Sequence, residues 1–460
     1  MDTVKLIPAK RFFVEMLTRD IELADAILDL IDNCLDGAMR KLNGNNSGSK
    51  PYAGFEVNIS FDQEHFKIAD NCGGIPRQVA LDSAFRMGRH DSERDKDLPT
   101  VGVYGIGMKR AIFKMGEDAT VFCNTDNGSY KVEISKDWML DDNLWDIPLH
   151  DLDVTRDSFG TEIEIRQLRD GIKLQFANRD FVDNLYQVVS THFSYIISKG
   201  LSIKMNGERI EPNISITRYA KEFSNKTDSI APYIYKNHID GVDVEVAIGF
   251  YRSLATEEEE QEEQEGKSVS TSAGITIICN DRVVLHNDKT HITGWGEASV
   301  PRYHTQFIAI SGVVIFQSNT PAKLPLKTTK RGVDSSTQIY SVVKDKVREG
   351  IKTFTDFTNK WKKSSKGELS KYFKIEETES APSIVLSQKV KDNEWSKVRR
   401  DGGLVFKPRL PTPQETDPTE RVVFTKKKSE VQAVSEYLFD EVRPATIVGE
   451  FCFDQILKKV

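Results

Sequence analysis

The chain of 460 residues has only five cysteines, and no two of them form a Cys-x-x-Cys pair. Cys34, Cys72, Cys123, Cys279 and Cys452 are an odd and scattered set, which argues against a disulfide framework or a zinc site. That usage fits a reducing, cytosolic setting. No apolar run approaches the ~20 residues needed to span a membrane, and the opening "MDTVKLIPAK" lacks the apolar core of a secretory signal. Charge of one sign is also missing. A net charge of −7 excludes an electrostatic nucleic-acid binder over the whole surface, while leaving room for local basic patches. There is no internal repeat and no GxxxxGK[ST] loop, so a Walker A phosphate cradle is excluded. What remains is an ordinary globular composition, 38% hydrophobic and 29% charged, in a length that suits roughly two to four domains.

Residues 20–41, "DIELADAILDLIDNCLDGAMRK", carry Ala26, Ile27, Leu30, Ile31, Cys34, Leu35 and Ala38 at helical spacing. The turn formers of 43–54 end that helix. Strands are predicted at 55–61, 65–69, 119–124, 129–135 and 161–166, with a glycine-rich turn opening a short helix within 101–116. A helix follows at 179–198, then a hairpin turning at Asn206-Gly207. The acidic run 255–272 reads as a solvated loop. Strands resume at 274–279 and 306–317, and 335–363 reads as one long amphipathic helix. Residues 364–420 look like a linker or small module, and the chain ends in a strand and one or two helices.

Three stretches can carry chemistry. On the first helix Asp25, Asp29 and Asn33 are spaced four apart, each step advancing only about 40° around the axis, so they share one face. A carboxylate there can orient a water or take its proton, and a carboxamide oxygen is a hard ligand suited to Mg²⁺. Asp32 and Asp36 form a second polar pair. An amphipathic helix with a solvated acidic face would look the same. In "ADNCGGIP" Asp70 ends a strand, where its carboxylate can accept from an exocyclic amine such as that of adenine. Gly73 and Gly74 let the backbone approach a flat ring or adopt positive φ; a plain turn also fits. In "GVYGIGMKRA", Gly102, Gly105 and Gly107 precede a helix whose N-terminus can cradle phosphate, with Lys109 and Arg110 adding positive charge.

The order and spacing of the three resemble the Bergerat-fold ATPases, the GHKL superfamily of gyrase, heat-shock chaperones, histidine kinases and MutL. "DLIDNCLDGA" looks like its N-box, "DNCGGI" its first glycine box, "GVYGIGMK" its second, and "FGTEIEI" (159–165) its last motif. "LPLKTTKRGVD" (324–334), "GITIICNDRVV" and "GWG" resemble the second domain of its MORC-like members. The resemblance implies an α+β architecture. A Bergerat α/β sandwich over 1–198 precedes a second α/β domain of the transducer, ribosomal-protein-like kind over 199–363. A linker and C-terminal interaction module would fill 364–460. It implies ATP and Mg²⁺ as cofactors. Asn33 would hold the metal, and Asp36, Asp70, Gly73, Gly74, Ile75, Gly102, Gly105, Ile106, Gly107, Met108, Lys109 and Thr161 would contact the nucleotide. Asp29 would position the attacking water, residues 77–101 would serve as a lid, and Lys330, with Lys327 as fallback, would reach the γ-phosphate from the second domain.

One departure matters. The superfamily carries Glu where this chain has Asp29. The missing methylene shortens the reach by roughly 1–1.5 Å, and a misplacement of about 1 Å can cost ~100-fold in rate. Slow turnover is therefore expected. The resemblance further implies an ATP-dependent homodimer, with residues 1–18 exchanged between subunits and the last helices as a second contact. Basic clusters at Lys360/Lys362/Lys363/Lys366, Lys397/Arg399/Arg400 and Lys426/Lys427/Lys428, with Trp361 and Trp395 among them, make DNA a candidate partner. A protein client of a chaperone-like ATPase is an alternative. So is a partner protein or effector subunit on an ATP-sensing scaffold, as in a prokaryotic defence system.

Overall fold

The structure is a computed structural model. It describes residues 9–45, 48–86, 88, 98–102, 105–142, 144–153, 159–256, 259, 272–327, 330–362, 371–374, 378–413 and 422–459. The acidic run apart from its two ends and Glu259, residues 87 and 89–97 of the expected lid, and the first eight residues lie outside that set. Two compact units divide the chain at Pro413.

The first layer of the larger unit is an eight-stranded sheet in the order β5-β4-β3-β6-β2-β1-β7-β8. Its strands are β1 (Glu56–Phe61), β2 (His65–Asp70), β3 (Gly116–Thr125), β4 (Gly128–Ile134), β5 (Leu149–Leu152), β6 (Gly160–Leu168), β7 (Ser202–Met205) and β8 (Glu208–Arg209). Helices α1 (Lys10–Arg19) and α2 (Leu23–Lys41) precede the sheet, and the single turn α3 (Arg77–Val79) follows β2. Next come α4 (Gly107–Met115), α5 (Lys136–Leu140), α6 (Asp170–Ala177), α7 (Arg179–His192) and α8 (Ser194–Ser198). Their apolar faces make one core with the sheet, in which Ile27, Ile31, Leu35, Ile112, Val121, Ile165 and Leu185 are fully buried. The helix expected over 179–198 is broken at Phe193, whose φ of −107° and ψ of 12° leave the helical range.

Strands β7 and β8 close the far edge of this sheet, with Ile203 pairing parallel to Val57. The first domain therefore extends past residue 198 to about the hairpin at Asn206-Gly207. Both residues of that turn have positive φ, 48° and 83°, as a tight hairpin requires.

The second layer is a nine-stranded sheet. It contains β9 (Ile216–Ala220), β10 (Tyr233–Ile239), β11 (Val242–Phe250), β12 (Gly274–Cys279), β13 (Arg282–Asp288) and β14 (Ile310–Gln317), covered by α9 (Gln338–Trp361). Val343, Val347, Ile351 and Phe354 of α9 pack into its core. The stretch expected to be a linker supplies β15 (Thr378–Pro382), β16 (Ser396–Lys397) and β17 (Leu404–Phe406) instead. These pair with β9 and β10 and belong to this sheet. Short strands with few consecutive apolar residues leave little periodic signal, so the extension was not readable locally. Trp361 is buried with its indole N–H donating to Pro411, which removes it from the proposed base-stacking surface.

The smaller unit holds α10 (Lys428–Phe439) and α11 (Ala445–Leu457). Its last expected strand does not form in the described residues 422–427. No helix among the described residues is long and apolar enough to cross a membrane.

Candidate functional site

Helix α2 crosses the sheet with the acidic face inward. Asp29, Asp32 and Asp36 are all buried, and Asn33 is exposed toward a cavity. That cavity brings together Asp29, Asn33, Asp36, Asp70, Gly74, Ile75, Gly102, Gly105, Ile106, Gly107, Met108, Lys109, Thr161 and Lys330. Of the residues expected to contact the nucleotide or its metal, Gly73 lies off the lining, as do Asp25, Asp32 and the fallback Lys327. Cys34, Arg40, Cys72 and Arg110 line it as well.

Asp70 ends β2 beside β6, and its Oδ1 accepts from the backbone N–H of Cys72 at 2.7 Å and of Thr161 at 3.3 Å. Burial raises its carboxyl above the ordinary range, against the pull of those N–H groups. Gly74, at φ +71°, passes so close to β3 that a Cβ would sit 2.6 Å from the carbonyl oxygen of Asn124, a place only glycine fits. Asp36 lines the cavity and also anchors its edge. Its two oxygens accept from the N–H groups of Val101 at 2.7 Å and Gly102 at 2.9 Å, so it anchors the glycine loop. Burial raises its carboxyl too, opposed by Arg40 and Lys330.

Lys109 lines the cavity with its ammonium already engaged. Its Nζ donates to the carbonyl of Ala84 at 2.8 Å and to that of Gly105, which ties α4 to the segment after α3. Burial brings its ammonium down to about 8. Arg110, one residue on, places Nη2 2.6 Å from Asp29 Oδ2.

The second domain meets the first through two loops, of which one lines the cavity through Lys330. The β12–β13 turn, with Asn280 and Asp281 at φ 46° and 65°, presents three side chains. Asn280 donates to the Thr100 carbonyl, and Asp281 accepts from Tyr52 and Lys199. Arg282 donates through Nε to Asp32 Oδ1 at 2.9 Å with both side chains about 1% exposed. The 324–334 loop presents Lys330, at φ +55°, with Nζ 3.0 Å from Asp32 Oδ2 and 3.4 Å from Asp29 Oδ1. Arg331 pairs with Asp25 at 2.6 Å. Lys327 is exposed. Burial alone would raise Asp32, but Arg282 and Lys330 outweigh it and hold its carboxyl below the usual range. Burial would likewise lower Lys330, and Asp32, Asp29 and Asp36 outweigh it and hold the ammonium raised.

A carboxamide, a half-buried carboxylate at a strand end, a glycine loop opening a helix and a cation from a second domain thus share one cavity. Residues 21–161 match the family model of the histidine kinase-, DNA gyrase B-, and HSP90-like ATPases. No curated protein matches the chain. The match supports a GHKL-type ATPase domain in that segment. Within the matched segment the Asn33 carboxamide makes no hydrogen bond among the described residues and lines the cavity, which suits a single protein oxygen on a magnesium ion otherwise held by phosphates and water. The Arg110–Asp29 pair and the partnership of Asp32 with Arg282 were missed from sequence. Arg110 was seen there only as added charge, whereas Asp32 and Arg282 lie 250 residues apart, and no local spacing links them.

Proposed function

We propose that the larger unit binds Mg·ATP in this cavity and hydrolyses it slowly, the nucleotide acting as a bridge between two domains. The observation that carries the reading is the convergence of Asn33, Asp70, Gly102, Gly105, Gly107 and Lys330 on one cavity. In this reading Asp70 accepts from the adenine amine, and the N-terminus of α4 faces the phosphates. Asn33 holds the magnesium ion, which neutralises phosphate charge when bound. Asp29 takes a proton from the attacking water as its oxygen bonds to the γ-phosphorus. The bond from that phosphorus to the β-phosphate oxygen then breaks, and ADP leaves with the electron pair. Lys330 stabilises charge on the transferring group. ATP-dependent pairing of two subunits, the MORC-like subtype and a clamp on DNA are parts of the same proposal. They are supported by the second α/β domain and by the exposure of Lys397, Arg399, Arg400 and Lys426–Lys428.

Asn33→Ala tests it. Titration calorimetry with Mg·ATP, followed by sedimentation with and without nucleotide and duplex DNA, is expected to show binding and ATP-dependent association in the parent chain and neither in the variant. Unchanged affinity in the variant would remove Asn33 from the site. Association of the parent that ignores nucleotide would remove the clamp.

A further inference from the structure

We infer that Arg110 is a γ-phosphate-sensing residue that holds Asp29 in reserve until a triphosphate takes the guanidinium from it. The inference deepens the ATP reading above and rests on it. Each oxygen of Asp29 faces a cation in this structure: Oδ2 accepts from Arg110 Nη2 at 2.6 Å, and Oδ1 lies 3.4 Å from Lys330 Nζ. A carboxylate so clamped has little freedom to orient a water. The pair is enclosed, with Arg110 and Asp29 side chains 16% and 6% exposed.

The Arg110 guanidinium is not satisfied by that pairing. Its Nε is buried with no acceptor, although the side chain lines the cavity. A guanidinium presents five donors in a planar fork, and a buried donor without an acceptor is unfavourable. A phosphate has the geometry to accept from two edges of the fork at once and carries more charge than a carboxylate. Transfer of Arg110 from Asp29 to the terminal phosphate leaves Oδ2 open to a water and adds a positive charge where the transition state needs it. A diphosphate offers no such acceptor at that distance, so the Arg110–Asp29 pair persists and the base stays clamped. Lys109 is excluded from the role because its Nζ is already held by Ala84 and Gly105. Lys330 is shared between Asp29 and Asp32, so its release would leave Asp32 with Arg282 while Asp29 still faced Arg110.

The test compares three full-length chains by calorimetry with a non-hydrolysable ATP analogue and with ADP, each with Mg²⁺: the parent, Asp29→Asn, and Asp29→Asn with Arg110→Gln. The double variant keeps the cluster charge-balanced, so it is expected to fold, as a circular dichroism melt can check. Asp29→Asn is expected to bind the analogue more tightly than the parent by about tenfold, because the guanidinium is released toward phosphate. Adding Arg110→Gln is expected to abolish that gain and bring analogue and ADP affinities together, with ADP affinity unchanged. A double variant that keeps the full preference for the triphosphate overturns the role of Arg110 alone. If the parent binds neither nucleotide, the ATP reading falls and this inference with it.

Discussion

At the residue scale the site is a set of buried charges held in mutual balance. Asp32 sits between Arg282 and Lys330 at 2.9 and 3.0 Å, out of reach of water. Two opposite charges in such a place offset the large cost of removing each from solvent, and taking one away exposes the other to that cost in full. Arg282→Met is therefore expected to destabilise the larger unit by about 3–5 kcal/mol. Asp32→Leu combined with Arg282→Met is expected to recover much of that loss, since the buried ammonium that remains, that of Lys330, still lies 3.4 Å from Asp29. Urea denaturation of the four chains in the double-mutant cycle checks this. Additive losses would mean that the two side chains do not depend on each other. Local spacing made Asp29 and Asn33 legible, because i and i+4 share a helix face. It could not reveal which of the neighbouring carboxylates would be paired, since the partners come from loops 250 or more residues away.

At the element scale the glycine loop is shaped by what lies beneath it. Gly102 passes over Asp36 so closely that a Cβ would stand 2.4 Å from Oδ2, and that oxygen already accepts from the Gly102 N–H. Gly102→Ala forces either the carboxylate or the loop to move. The expected cost is about 1–3 kcal/mol of stability, with a larger proportional loss of nucleotide affinity than of melting temperature, because the displaced loop lines the cavity. An Ala variant that binds nucleotide as the parent does would separate the loop from the site. The helices α2 and α9 were legible from their 3.6-residue apolar period, and α4 from the glycine-rich turn that opens it. Strands β9, β10, β11 and β13 were not singled out. Runs such as "YIYKNHI" and "VDVEVAIGF" are buried unevenly on their two faces, and they gain their pairing only from strands distant in sequence. Strands β16 and β17 are too short, at two and three residues, for any periodicity to show.

At the scale of the whole larger unit, the two domains are joined through polar groups, and one of them makes the joint sensitive to acid. His192 ends α7 in the first domain, and its Nδ1–H donates to the Val283 carbonyl of β13 in the second at 2.6 Å. Burial, reinforced by the neighbouring Arg282, brings its imidazole down to about 3 from an ordinary 6.5. The folded chain therefore refuses a proton that the unfolded chain accepts. Stability from this group is fully present above about pH 6.5 and is lost progressively as pH falls toward 3. Asp32, held low by its cations after the opposing effect of burial, acts in the same direction at lower pH. Asp36 and Asp70, both raised by burial, act in the opposite direction above the ordinary carboxylate range. A single melting profile would mix all four. His192→Gln isolates one of them, since the amide can keep an N–H donor for Val283 and does not titrate. The difference in unfolding free energy between parent and variant is expected to be nearly constant from pH 8 to 7. It then shifts in favour of the variant as pH falls from 6 to 4, by up to about 1.4 kcal/mol per pH unit. Parallel curves for the two chains across that range would mean that His192 takes up a proton as readily folded as unfolded, and the acid sensitivity of the joint would have to lie with the carboxylates.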